Sequence, residues 1–310
     1  MAVPCLIIDQ MHNSIVPLLT EVGLAPDYQP NITKEALFEE VGKYEVLVVR
    51  SKIAVNEALL QRATRLRVIA RAGAGLDQLD MDAIEARNIQ VVNAPEGNRD
   101  ALAEHAIGIL LALFNKINLG DAQVRSGQWD REGNRGVELM GKTVGLIGYG
   151  YMGQAFAQRL SGFGCHVLAY DKYKDMRHIA HAEAVGLDQL YAQTDVLSLH
   201  VPLTDETHHM VTADFIDRFE KPLYILNTAR GKVLVLKDLL QQMEQGKVLG
   251  AALDVLENEK LHTLTPSERA VFEALINKNN VILTPHVGGW THESYRKINE
   301  VLANKLKAVL

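Results

Sequence analysis

Cysteine, excess charge of one sign and long apolar runs are all scarce in this chain, and each scarcity removes a class of answer. Only two cysteines occur in 310 residues, Cys5 and Cys165, too few for a disulfide framework or a cysteine-rich metal site. His208 and His209 are adjacent and lack further ligands at useful spacing, so no metal is expected. A net charge of −6 without a basic block argues against a nucleic-acid partner. No apolar run approaches the ~18 residues needed to cross a bilayer, so no membrane partner is expected either. The N-terminal Met-Ala-Val-Pro-Cys-Leu-Ile-Ile-Asp9 reads as a buried first strand without the basic start and cleavage site of a signal peptide. The expected location is the cytoplasm.

What is present is ample apolar content, 47% of the chain, in a length that exceeds what one core usually serves, so two domains are expected. Residues 1–93 alternate β-rich runs (Cys5–Ile8, Val46–Arg50, Leu66–Arg71, Gln90–Val92) with helical patterns (Ile15–Val22, Lys34–Val41, Asn56–Ala63, Met81–Arg87), the pattern of a small parallel α/β domain. From Asn98 to Leu119 a long helix is expected, apolar enough over Ala106–Phe114 to be buried on most sides. Residues 127–136 are polar and glycine-punctuated, an irregular arm. The βα alternation then resumes, with strands at 165–170, 195–199, 223–227, 248–253 and 280–283. A last helix, Glu293–Val309, has no strand to lead to and is expected to return and cover the first domain. The fold class is therefore α/β with two doubly wound parallel-sheet domains.

The apolar run Lys142–Ile147 leads into Gly148-Tyr149-Gly150-Tyr151-Met152-Gly153 and a helical stretch from Gln154. A strand, a glycine turn and a helix start in that order suit a dinucleotide. Gly148 permits the tight turn, Gly150 lets backbone approach a pyrophosphate, and Gly153 packs helix on strand, while the amides of Tyr151 and Met152 stand at the helix N-terminus. A second strand ends at Asp171, about 20 residues on, where a carboxylate accepts bonds from ribose hydroxyls and repels a 2′-phosphate; NAD is favoured over NADP. The plainer reading is an ordinary βα turn followed by a solvated Asp.

Ligands of open parallel sheets bind beyond the carboxyl ends of the strands. That rim holds the glycine loop, Asp171, His200-Val201-Pro202, Thr228-Ala-Arg230, Asp254 and Thr284-Pro-His286. Arg230, Glu259 and His286 make a candidate acid/base set: a histidine moves the proton that accompanies hydride transfer, a carboxylate raises its pKa, and an arginine clamps a substrate carboxylate. Each also has a structural reading, Arg230 as a loop or capping residue and Glu259 as part of the solvated cluster Glu257-Asn-Glu-Lys260.

Lys142–Gly153, Ser198–Leu203, Leu226–Gly231, Gly250–Val255 and Thr284–Gly288 resemble, in order and spacing, the NAD-dependent D-isomer-specific 2-hydroxyacid dehydrogenases, over nearly the whole chain. The resemblance implies Arg230 for substrate and Glu259 paired with His286 as acid/base. It implies a Rossmann coenzyme domain, 95–283, that forms a homodimer, inserted in a discontinuous flavodoxin-like substrate domain, 1–94 and 284–310. Arg50-Ser51 and Arg71-Ala72-Gly73 look like the substrate-binding segments of phosphoglycerate dehydrogenases, with the first arginine at the phosphate and the Ala72-Gly73 backbone at the carboxylate. The alternative for each arginine is a loop salt bridge. The expected reaction is oxidation of 3-phospho-D-glycerate to 3-phosphohydroxypyruvate, in serine biosynthesis. The alternatives are glyoxylate, hydroxypyruvate or D-lactate chemistry, 4-phosphoerythronate, or a non-catalytic NAD-sensing scaffold. The chain departs from the family pattern at Lys260, where proline is usual, and at Trp290 and Ala74. Because nothing follows residue 310, no C-terminal regulatory domain is expected.

Overall fold

The computed structural model describes residues 2–310, so the Met1 end of the expected first strand lies outside the described residues. Two compact units result: residues up to Arg99 with Trp290–Leu310, and Asp100–Gly289. The divisions thus fall at 99/100 and 289/290, where the family resemblance implies 94/95 and 283/284.

The first unit runs β1 (Val3–Ile7), α1 (Ile15–Glu21), β2 (Leu24–Tyr28), α2 (Lys34–Glu40), β3 (Val46–Val49), α3 (Glu57–Leu60), β4 (Val68–Arg71), α4 (Met81–Glu85) and β5 (Gln90–Asn93). All its strands are parallel, in the order β2-β1-β3-β4-β5, the flavodoxin-like winding. Helix starts are closed by side chains: Thr33, Asn56 and Asp80 each accept a first-turn amide, satisfying donors the helix itself cannot. Strand β2 escapes the sequence reading because Leu24-Ala-Pro-Asp-Tyr28 carries two strand-averse residues. It is an edge strand, paired only with β1, where a proline is tolerated.

The second unit takes up α5 (Pro95–Phe114) from Asp100 onward, then α6 (Ile117–Arg125), β6 (Thr143–Ile147), α7 (Tyr151–Leu160), β7 (His166–Tyr170), β8 (Glu183–Ala184), α8 (Leu187–Gln193), β9 (Val196–Leu199), α9 (Ala213–Asp217), β10 (Leu223–Asn227), α10 (Leu236–Glu244), β11 (Val248–Leu253), α11 (Pro266–Ile276) and β12 (Val281–Leu283). Its seven parallel strands run β12-β11-β10-β9-β6-β7-β8. The final helix, α12 (His292–Val309), belongs to the first unit. There Ile298, Leu302, Ala303 and Leu306 pack with Ile15 and Leu19 of α1 and Val68 of β4.

The single helix expected over 98–119 is two, bent by 62°. Lys116 adopts a left-handed φ of +51°, and the carbonyl of Phe114 accepts the amide of Val137, from the arm, at 2.9 Å. The apolar half is buried as expected, with Ala106, Leu110, Leu113 and Phe114 in the core with Val144 and Leu146 of β6. The α6 half buries no residue. Among the described residues no single helix is long and apolar enough to cross a membrane.

One buried charge ties the first sheet together at the ends of β1 and β3. Asp9 is 6% exposed; its Oδ2 accepts the amide of Arg50 at 2.7 Å and its Oδ1 those of Ser51 and Lys52, each at 3.0 Å. Asp9→Ala leaves three amides without acceptors and is expected to lower unfolding free energy by about 2–4 kcal/mol, read from the urea midpoint; a change under about 0.5 kcal/mol would contradict the tie.

Candidate active site

In the second sheet the chain winds one way from β6 to β7 and the other way from β9 to β10, so a crevice opens where the ends of β6 and β9 part. The glycine loop lies at that point. Gly148 has φ +93°, and a Cβ there would sit 2.5 Å from the carbonyl oxygen of His200, so only glycine serves. A Cβ on Gly153 would meet the Gly148 carbonyl at 2.4 Å, whereas one on Gly150 would meet nothing within 4 Å. The loop is therefore tight where it folds and open where Gly150 begins α7. The first amides of that helix, those of Tyr151 and Met152, have no acceptor one turn back.

Asp171 stands at the end of β7. It accepts the amide of Tyr149 at 2.7 Å and those of Tyr173 and Lys174 at 3.0 Å. Burial pushes its carboxyl up, and these amides outweigh burial and hold it below the usual range. His200 follows β9, with Nε2 2.8 Å from Ser198 Oγ and its ring 5.3 Å from that of Phe156. Burial pushes its pKa down to about 4, so the ring is neutral at physiological pH. Val201 is half-buried and Pro202 exposed. After β10, the hydroxyl of Thr228 is one of six buried side-chain polar atoms without a hydrogen-bond partner among the described residues, and the one of them that stands on this rim. Open space at Gly150, an orphaned Thr228 and a carboxylate at the next strand end together fit a dinucleotide.

The acid/base candidates come together on the same rim. His286 Nδ1 lies 2.9 and 3.0 Å from the two carboxylate oxygens of Glu259. A carboxylate only accepts, so Nδ1 carries the hydrogen and Nε2 is left for other work. The bond to Glu259 raises the His286 pKa; burial and the charge of Arg230 pull it back, while the charges of Glu259 and Asp254 push it further up. The backbone of His286 is left-handed, φ +54°, a conformation costing a non-glycine residue about 1–2 kcal/mol.

That conformation is held by Asp254, 2% exposed at the end of β11. Its backbone carbonyl accepts the His286 amide at 2.8 Å. Its side chain accepts from Thr284 Oγ1 at 2.6 Å and from the amides of Val287 and Gly288 at 2.9 and 2.8 Å. Burial pushes this carboxyl up, and its donors more than compensate. Arg230 is placed by a different device. A Cβ on Gly231 would lie 1.9 Å from the carbonyl oxygen of Leu256, so glycine lets the two strand ends close together. Asn227 accepts the amide of Ala229 at 3.0 Å and donates to the carbonyl of Arg230 at 3.1 Å.

The expected substrate residues lie in the first unit. Arg50 and Ser51 follow β3, and the Arg50 guanidinium carbon lies 3.7 Å from the ring centroid of Trp290. Ala72 and Gly73 are buried, and both amides expected to meet a carboxylate have internal acceptors, Val49 at 2.7 Å and Arg71 at 2.9 Å. Arg71 itself donates to the carbonyl of Ala72 at 3.4 Å.

Three polar residues of these sites were not singled out in the sequence reading. Asp9 and Tyr295 hold the Arg50 surroundings. His105 of α5 places Nε2 3.1 Å from Thr284 Oγ1 and 3.3 Å from Asp254 Oδ1. Its only sequence signal is a histidine entering an apolar helix.

Residues 107–288 match the family described as D-isomer specific 2-hydroxyacid dehydrogenase, NAD binding domain. The chain is 36% identical to a D-3-phosphoglycerate dehydrogenase of Methanocaldococcus jannaschii over 99% of its own length and 57% of that protein's, so it spans little more than half of that relative. A hydroxypyruvate reductase of Thermotoga maritima is also 36% identical, over 89% of this chain and 88% of the relative. Among solved structures, the D-lactate dehydrogenase of Aquifex aeolicus complexed with NAD and lactic acid superposes with a TM-score of 0.84 at 29% identity, covering 99% of this chain and 95% of the other. Glycine loop, strand-end rim and paired Glu259–His286 thus accompany a likeness that extends over the whole chain, which belongs to the D-isomer-specific 2-hydroxyacid dehydrogenase family.

Proposed function

We propose that this chain interconverts a D-2-hydroxy acid and its 2-oxo acid with NAD, and that the acid is 3-phospho-D-glycerate, oxidised to 3-phosphohydroxypyruvate on the way to serine. The observation that carries the reaction class is the His286 imidazole fixed by Glu259 on the rim of a sheet whose glycine loop is shaped for a dinucleotide. The substrate is supported by Arg50, a guanidinium with no carboxylate at ion-pair distance among the described residues, and by phosphoglycerate dehydrogenases among the relatives.

When bound, NAD supplies the acceptor for the hydride from C2 and its donor in reverse. Neutral His286 takes the C2 hydroxyl proton at Nε2; in the reverse direction its imidazolium returns a proton to the C2 oxygen. Glu259 stabilises the imidazolium and keeps the ring in one tautomer. Arg230 offers paired donors to the C1 carboxylate and polarises the neighbouring carbonyl. Gly148, Gly150 and Gly153, with the amides of Tyr151 and Met152, hold the pyrophosphate, and Asp171 the adenosine ribose. Thr228 and the segment from His200 to Pro202 line the remainder, and Asp254 acts through the turn it organises. Arg50 is the residue proposed to recognise the second anionic group. Ile117, Val124 and Trp129 are 54%, 53% and 78% exposed, and Val124 and Trp129 line one concavity; these apolar residues support the proposal of a homodimer joined through the second unit, and its proposed location is the cytoplasm.

Reduction of hydroxypyruvate or glyoxylate is the second reading, favoured by relatives bearing those names at 36% and 34% identity. Rates of NADH oxidation with phosphohydroxypyruvate, hydroxypyruvate, glyoxylate and pyruvate separate the two. The proposal expects kcat/KM for the phosphorylated acid to exceed the others by on the order of 10²-fold or more, the effect of one lost charge-assisted contact. Equal or better use of the small acids removes the phosphoglycerate assignment.

The pH dependence tests the acid/base roles. Reduction needs protonated His286, whose pKa is raised, so its rate is full below that pKa and falls as pH rises through it; oxidation does the reverse. Glu259→Gln removes the carboxylate charge while keeping an acceptor. It is expected to move the alkaline limb of reduction to lower pH, with a loss of about 10- to 100-fold at neutrality. An unmoved limb would exclude Glu259 from setting the proton affinity.

A further inference from the structure

The first sheet has a switch point of its own. The chain leaves β1 for β2 on one side and β3 for β4 on the other, so the loops after β1 and β3 part at their carboxyl ends, the place where such sheets take ligands. A cavity of about 670 Å³ opens there, with His12, Tyr28, Arg50, Ser51, Trp290 and Tyr295 in its lining. Every one of these residues belongs to the first unit.

Arg50 is the one arginine or lysine in this lining. The charge of Asp9 favours its protonated form, but the Asp9 oxygens accept the amides of Arg50, Ser51 and Lys52, and among the described residues no carboxylate lies at ion-pair distance from the guanidinium. The guanidinium instead contacts rings: its central carbon is 3.7 Å from the Trp290 centroid, at van der Waals contact, and 5.5 Å from that of Tyr295. The two rings brace one another, with half of Trp290 exposed to solvent. They lie 5.2 Å apart, and the Tyr295 hydroxyl donates to the carbonyl of Gln10 at 2.8 Å. Thr291 and Ser294 close a reciprocal cap on α12 immediately after Trp290. Asn299 donates to the carbonyl of His12 and to Ser14 Oγ at 3.1 and 3.0 Å, pinning the helix to the loop after β1.

A guanidinium carries its five N–H donors in its plane and attracts an aromatic ring at its face. A ring on the face therefore immobilises the cation without using a donor. We infer that Trp290 is a positioning residue for specificity: its indole holds Arg50 at the switch point of the first sheet, with the in-plane donors left for the anionic head of the substrate, a phosphate or carboxylate on C3. A small residue at 290 would leave Arg50 to choose among many rotamers, and each substrate would bear the cost of ordering it. The inference rests on the phosphorylated-acid reading of Arg50 and adds to it the residue that makes the arginine selective.

The readout is the ratio of kcat/KM for phosphohydroxypyruvate to that for hydroxypyruvate, because a general disturbance of the fold lowers both and leaves the ratio unmoved. Trp290→Ala is expected to lower the ratio roughly tenfold, and Trp290→Phe, which restores a ring, to keep it within about threefold of the original. Competitive inhibition by inorganic phosphate is expected to weaken in parallel, with Arg50→Ala abolishing both effects. A ratio unaltered in Trp290→Ala while Arg50→Ala abolishes it overturns the role of Trp290 and leaves the substrate reading intact. A wild-type enzyme without preference for the phosphorylated acid overturns the substrate reading itself, and the inference with it.

Discussion

A buried carboxylate at the end of β11 is the constraint on which the chemistry of the second unit depends. Asp254 accepts from Thr284 and from the amides of Val287 and Gly288, and its own carbonyl takes the amide of His286. Burying an ion is costly unless its lone pairs are filled. Filling these ones folds residues 284–288 around a single point. The left-handed backbone of His286 follows from that geometry, and with it the placing of the ring against Glu259. Strain at His286 and the satisfied charge at Asp254 are two sides of one arrangement, the pattern in which a structure over-determines a conformation that function requires.

The two units solve the same positioning problem with different chemistry. In the second, backbone does the placing: glycines at 148, 153 and 231 allow chain segments to approach within distances that any side chain would forbid. In the first, Asp9 gathers three consecutive amides and aromatic rings gather a cation. A parallel strand ends in unpaired amides and carbonyls at a loop, so both devices sit at the carboxyl ends of strands, where such groups are most in need of partners.

How much of this could be read from sequence depends on how far apart the partners lie. The glycine loop was legible because each glycine answers a local steric demand, and the buried strands because parallel sheets read as continuous apolar runs. Strand β2 was not, since its residues disfavour strands and only the edge position admits them. The break after Phe114 was not, because an amide 23 residues downstream takes the carbonyl that would have continued the helix. Asp9 and His105 find their partners 41 and 179 residues away, so nothing in their own neighbourhoods announces them. Trp290 was visible as a departure from the family pattern, and its contact with Arg50 gives that departure a physical content.

The central claim is that Glu259 holds His286 in one tautomer with Nε2 free for the substrate proton. Nitrogen-15 NMR of histidine-labelled enzyme, with the His286 signals identified by their loss in His286→Asn, observes this directly. The neutral ring of His286 is expected to carry its hydrogen on Nδ1 and to titrate above an ordinary histidine. A hydrogen on Nε2 of the neutral ring, or a titration at or below the ordinary value, would contradict it.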